Sequence, residues 1–97
     1  MAVYLIIEIT VKNPELYSKY VERVPEVVEK HGGRYLVRGG RVTPVSQTWH
    51  PERIIVVEFP GVEDVRRCFA SPEYRALAPL REQATASKAI VVEGCGA

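Results

Sequence analysis

The chain has 97 residues, 46% hydrophobic and 26% charged, with a formal net charge of +1. That length builds one domain, which buries roughly two thirds of its unfolded surface. The interspersed, near-balanced charge leaves no basic stripe for nucleic acid and no acidic tail for a basic partner.

Met1 leads directly into an apolar strand-like run, with no basic leader segment. No apolar stretch approaches the ~20 residues of a membrane span. Cys68 and Cys95 are too few and too irregular for a disulfide framework or a zinc site. The expectation is a cytoplasmic protein with no membrane or nucleic-acid partner, no metal and no cofactor.

The first strand is predicted over Ala2 to Val11, where Val3, Leu5, Ile7, Ile9 and Val11 recur at period two. Asn13-Pro14-Glu15 reads as a helix start: a cap, a first-turn proline and an acid at the positive end of the dipole. Leu16, Tyr17, Tyr20, Val21, Val24, Val27 and Val28 follow at helical spacing, with Pro25 predicting a kink. Gly32 or Gly33 supplies the left-handed end. A second strand spans Arg34 to Arg38, and a polar connection runs from Gly39 to Pro51, with room for a short extra strand near Arg41 to Val45.

Arg53 to Phe59 is the third strand, ended by Pro60-Gly61. Val62, Val65, Cys68 and Phe69 mark a short helix. Ser71-Pro72-Glu73 repeats the cap, proline and acid device and starts another, which Pro79 limits or bends. Lys88 to Glu93 is the fourth strand. The order β-α-β-β-α-β predicts an α+β, ferredoxin-like sandwich with antiparallel sheet order 4-1-3-2 and both helical segments on one face.

Period-two parity assigns Val3, Leu5, Ile7, Ile9, Tyr35, Val37, Ile55, Val57, Phe59, Ile90 and Val92 to the helix side. It assigns Tyr4, Ile6, Glu8, Arg34, Leu36, Arg38, Ile54, Val56, Glu58, Ala89, Val91 and Glu93 to the other. A one-residue bulge would reverse this parity. The second set is too apolar to face water, so a second copy is expected to cover it, giving a homodimer.

With the first and third strands taken as parallel neighbours, Glu8 and Glu58 fall side by side with Arg34 near Glu58. Such a trio can transfer protons, and Glu8 and Glu58 are the candidate catalytic pair. A structural ion-pair network at the dimer seam reads the same residues equally well.

Arg34, Arg38, Trp49, Tyr74 and Arg81 are candidate substrate-binding residues. Arg81 can receive a carboxylate or make a surface ion pair. Trp49 can wall a pocket or pack as a lid on a partner. His50, beside it, reads as exposed, and His31 as a cation at a helix C-terminus. Tyr17 and Tyr20 read as core-facing, and Cys68 as a buried thiol.

Pro14-Glu15-Leu16-Tyr17 with Tyr20, the run Gly32 to Gly40, Trp49-His50-Pro51-Glu52-Arg53 leading to Val57-Glu58-Phe59-Pro60, then Ser71-Pro72-Glu73-Tyr74 and Arg81, together resemble the bacterial domain-of-unknown-function family thirteen-thirty of the dimeric α/β-barrel superfamily. The resemblance implies a ferredoxin-like protomer that pairs through its sheet, with no established activity. Gln47-Thr48 and Cys68-Phe69 depart from the Glu-Gly and Trp common in that family.

Two functional expectations follow. One is a binder or converter of a planar or carboxylate-bearing small molecule in a cleft lined by the sheet. The other is a non-catalytic dimeric scaffold or regulatory module. Haem is the poorer third, since neither His31 nor His50 is placed as an axial ligand.

Overall fold

The computed structural model describes residues 1–96. Its elements are β1 (Val3–Val11), α1 (Pro14–Lys30), β2 (Arg34–Arg38), β3 (Arg53–Phe59), α2 (Val62–Ala70), α3 (Pro72–Ala84) and β4 (Thr85–Glu93).

Helix starts follow the caps written in the sequence. Asn13 Oδ1 accepts the Leu16 amide at 3.2 Å, with Pro14 in the first turn. Ser71 joins two helices at once: its hydroxyl accepts the Tyr74 amide at 3.2 Å and donates to the Cys68 carbonyl at 2.6 Å. Replacing such a cap by alanine costs about 1 kcal/mol. Gly32, at φ +86°, makes the left-handed exit from α1.

Neither internal proline ends its helix. Pro25 costs about 3 kcal/mol, but Val24, Val27 and Val28 are all buried, each contributing about 1.5–3 kcal/mol. Packing therefore wins, and α1 runs on to Lys30. The same logic carries α3 past Pro79, with Leu77 and Ala84 buried on either side. β4 begins at Thr85 rather than Lys88, because Thr85 to Ser87 pair with Val11 to Ile9. The short extra strand near Arg41 to Val45 is not formed.

The sheet order is β2-β3-β1-β4, the anticipated 4-1-3-2 order read from the other edge. Every neighbouring pair is antiparallel. This corrects the parallel placement of the first and third strands. In a split β-α-β unit, β1 and β2 run parallel and β3 is inserted between them, antiparallel to both. The fold is ferredoxin-like, a slab of 33 × 32 × 17 Å with helices on one side. Its core joins Leu5, Ile9, Val57 and Phe59 of the sheet to Val24, Val28, Val65 and Leu77 of the helices.

Two parity expectations are overturned. A bulge between Tyr35 and Val37 places Val37 opposite Val56 and Arg38 opposite Ile55. Val37 therefore turns to the open face and Arg38 to the helix side. In β4, Val91 and Ala89 oppose Leu5 and Ile7, while Val92 and Ile90 oppose Tyr4 and Ile6. Ile90 and Val92 belong to the open face.

Candidate functional site

On the covered face the register aligns Ser87, Ile9 and Arg53 across β4, β1 and β3. The next row aligns Ala89, Ile7, Ile55 and Arg38. Charged and polar residues thus frame an aliphatic floor. Above it, α1 and α3 enclose a cavity of about 450 Å³.

Aromatic rings form the opposite wall. Tyr17 and Tyr20 stack with centroids 6.2 Å apart and an interplanar angle of 25°. Tyr74 meets Tyr20 edge-on at 6.3 Å, and Phe69 meets Tyr74 edge-on at 4.6 Å. The Tyr20 and Tyr74 hydroxyls lie 2.9 Å apart, both residues being buried. One O–H of that pair serves the mutual bond and the other is left free to donate. Burial raises the Tyr20 pKa far above its ordinary value. Burial likewise pushes Tyr35 up to about 12, against the pull of Arg38. These phenols stay neutral at physiological pH and act as hydrogen-bond groups.

Four arginines line the cavity, Arg38, Arg53, Arg75 and Arg81, against one carboxylate, Glu82. Arg53 is held firmly. Its Nε donates to Tyr17 Oη at 2.9 Å and its guanidinium sits 5.3 Å from the Tyr17 ring centroid. Gly39, at φ +77°, makes room, because a Cβ there would overlap that guanidinium. Arg38 lies 5.1 Å over the Tyr35 ring. Tyr35 and Arg38 share a face only because of the bulge, since a spacing of three puts residues on opposite faces of a regular strand.

Arg81 Nη1 donates to Ser87 Oγ at 3.0 Å. Its Nε is fully buried with no hydrogen-bond partner. A buried donor left unpaired costs about 1–3 kcal/mol, more when charged. Among the described residues, the ion pairs are Lys30–Glu73, Arg34–Glu58, Arg66–Glu63 and Arg67–Asp64, and none includes a cavity arginine.

The anticipated acid pair does not assemble. Glu58 opposes Tyr4, whereas Glu8 opposes Ile54, four residues further along β1. That is about 13 Å of strand. Glu58 accepts from Arg34 Nη2 at 2.9 Å and from Tyr4 Oη at 3.1 Å. This bond raises the Tyr4 pKa. Glu8 instead accepts from Trp49 Nε1 at 3.1 Å.

The candidate residues therefore divide. Arg38, Tyr74 and Arg81 line the cavity. Glu8, Glu58 and Arg34 lie on the open face, with Trp49 tied to it through Glu8. His50 Nε2 meets the Gln47 carbonyl at 2.7 Å in the exposed loop. Arg53, absent from the anticipated site, is one of its fixed points. Its signal was a charge in the same phase as Ile55 and Val57. No cluster of three or more histidine, cysteine or acidic residues fit for a metal occurs among the described residues. No described helix is long and apolar enough to cross a membrane.

The family model for a domain of unknown function, DUF1330, matches residues 2–95. The chain belongs to the DUF1330 family. A comparison with curated proteins finds no match. Among solved structures, this DUF1330 chain is similar to the RPA0582 protein of unknown function from Rhodopseudomonas palustris, at 19% identity and TM-score 0.78, covering 99% of this chain and 84% of that one. It is similar to a dimeric ferredoxin-like protein of unknown function from Jannaschia sp. CCS1, at 7% identity and TM-score 0.75, covering 97% and 100%. It is also similar to SnoaB, a cofactor-independent oxygenase from Streptomyces nogalater, at 14% identity and TM-score 0.72, covering 99% and 95%. Identities this low establish the shared fold alone.

Proposed function

We propose that this DUF1330 protein is a homodimer whose protomers each bind a small, flat organic anion between sheet and helices. The observation that carries the reading is the set of cavity arginines without carboxylate partners, set around a largely apolar space. Arg53 and Arg81 are partly withdrawn from water, where an unpaired cation gains from a counter-charge, and a cavity of this size suits a small ligand. The lining has no histidine or cysteine, and Glu82, its one carboxylate, is exposed. Its equipment favours binding over proton transfer. Glu8 and Glu58 lie on the other face of the sheet.

The dimer rests on the open face. Ile6, Ile54, Val56, Val37, Ile90 and Val92 form a contiguous apolar strip, and Ile90 is 60% exposed. The broad side of the slab measures 33 × 32 Å, which leaves room for the ~800 Å² each partner gives a stable interface. The Jannaschia neighbour's description as dimeric supports a homodimer.

Ala78→Phe tests the binding reading by filling the cavity from α3. Calorimetric titration with a panel of aromatic acids should give binding to the parent and none to this variant. Equal binding to both would place the ligand elsewhere and remove the proposal.

A further inference from the structure

We infer that the paired hydroxyls of Tyr20 and Tyr74 read a second, uncharged oxygen on the ligand, so that the cavity selects flat acids that also carry a carbonyl group. This rests on the cavity-binding reading and deepens it by naming the ligand's second polar group and the residues that recognise it.

The polar lining is one-sided. Apart from Glu82, every polar side chain that borders the cavity belongs to a tyrosine or an arginine. An arginine only donates, and a neutral phenol always has one proton to give. Glu82, the one side chain that only accepts, is exposed. The side chains therefore offer donors in excess, and a ligand answers them with acceptors.

Counting protons singles out the tie between α1 and α3. The Tyr20 and Tyr74 hydroxyls lie 2.9 Å apart, with both residues buried. Two phenols carry two protons, and their mutual bond uses one. The second finds no side-chain or backbone acceptor among the described residues. Buried polar groups in folded proteins are nearly always bonded. Burial keeps the Tyr20 phenol protonated, so the pair stays a donor at neutral pH.

The pair is held in place by its neighbours. Phe69 meets the Tyr74 ring edge-on at 4.6 Å, and the Tyr20 ring stacks on Tyr17. Leu5, Ile7 and Ile55 line the sheet side of the same cavity and offer no polar side-chain group. A flat apolar body suits a space with aromatic and aliphatic walls, and an oxygen on its rim is what the free O–H can take.

Tyr17 has a different part. Its hydroxyl accepts from Arg53 Nε at 2.9 Å, so its own proton sits beside a fixed cation. A charged oxygen is preferred there, which leaves the neutral carbonyl to the Tyr20–Tyr74 pair. Exchanging that carbonyl oxygen for a methylene group of the same shape would leave a buried O–H unpaired.

The test titrates meta- and para-acetylbenzoate into the whole chain by calorimetry, beside meta- and para-isopropenylbenzoate, in which a methylene group replaces the carbonyl oxygen. At least one acetyl acid should bind about tenfold more tightly than its isopropenyl partner. The double variant Tyr20→Phe/Tyr74→Phe should erase that preference while still binding both acids. Tyr17→Phe should keep it.

Equal affinities within both pairs in the unmodified protein would assign the free proton to water and overturn the inference, yet leave the cavity reading standing, provided Ala78→Phe abolishes all binding. A preference that survives the double variant, or one that Tyr17→Phe removes, would overturn it as well. Binding of none of the four acids would overturn both readings. The preference is measured first on the parent chain, so a variant that fails to fold does not shield the inference.

Discussion

The two faces of this sheet hold their polar and apolar groups in opposite ways. On the helix side, Leu5, Ile9, Val57 and Phe59 are packed into the core, while Arg38, Arg53 and Arg81 face a cavity without carboxylate partners. On the open side Glu58 is bonded to both Arg34 and Tyr4, while Ile90, Val92 and Val37 remain in solvent. One face has buried most of its hydrophobic groups, with Val91 at its rim an exception, and holds arginines without carboxylate partners; the other pairs Glu58 and leaves hydrophobic groups uncovered. In the function proposed above, a small anion answers the first deficit and a large apolar surface the second. The same four strands therefore present two kinds of recognition, separated by the thickness of one β-layer.

The sharpest way to break this contrast is Ile6→Lys, at the centre of the open face between Val56 and Ile90. Sedimentation should show a monomer at micromolar concentrations where the parent is dimeric. Identical sedimentation of the two proteins would show that the open face does not hold two copies together.

Next in size is a pair of truncations, measured by denaturant unfolding in that monomeric background. Leu77→Ala, in the core, should cost about 2–5 kcal/mol. Ile90→Ala should cost under about 1 kcal/mol, since the side chain is already largely hydrated. Comparable losses would show that the open face is supported within the protomer.

A smaller effect tests the cavity wall. Tyr20→Phe and Tyr74→Phe should each cost about 1–3 kcal/mol, because each strands a buried hydroxyl. The double variant should cost clearly less than the sum. Simple additivity in a double-mutant cycle would mean that the hydroxyls do not depend on each other.

The smallest is a pH effect. Burial raises the Tyr35 pKa from 10.0 to about 12 in the folded chain. The unfolded chain then releases its proton first, so this group's contribution is complete below pH 10 and is lost as pH rises through about 12. Melting temperatures between those values should fall less steeply for Tyr35→Phe than for the parent. Parallel curves would mean that the ring is not buried enough to matter.

Much of the fold was written locally. Asn13-Pro14-Glu15 and Ser71-Pro72-Glu73 announce helix starts with groups that bond the first free amides, and the structure uses both. The phase of β1 was equally plain, because its period-two set is unbroken. The phase of β4 was not. Ala89, Ile90, Val91 and Val92 are all apolar, so periodicity cannot say which residues face the helices, and only pairing with β1 decides. The bulge in β2 was hidden for the same reason: Leu36 and Val37 suit either face. The expected Glu8–Glu58 pair failed for another reason, the direction of a strand contributed by a distant part of the chain. Arg53 and Arg81 are 28 positions apart in sequence, and only the tertiary fold makes both line one cavity.

The irregular pairing at Leu36 and Val37 puts one extra residue into the edge strand. Were Leu36 to take the regular place opposite Val56, everything after it would move on by one position and change faces. Val37 would then be presented to the pocket and the Arg38 cation to the open face. The bulge thus decides which of two surfaces receives a positive charge, and the same short stretch of chain borders both the cavity and the open face.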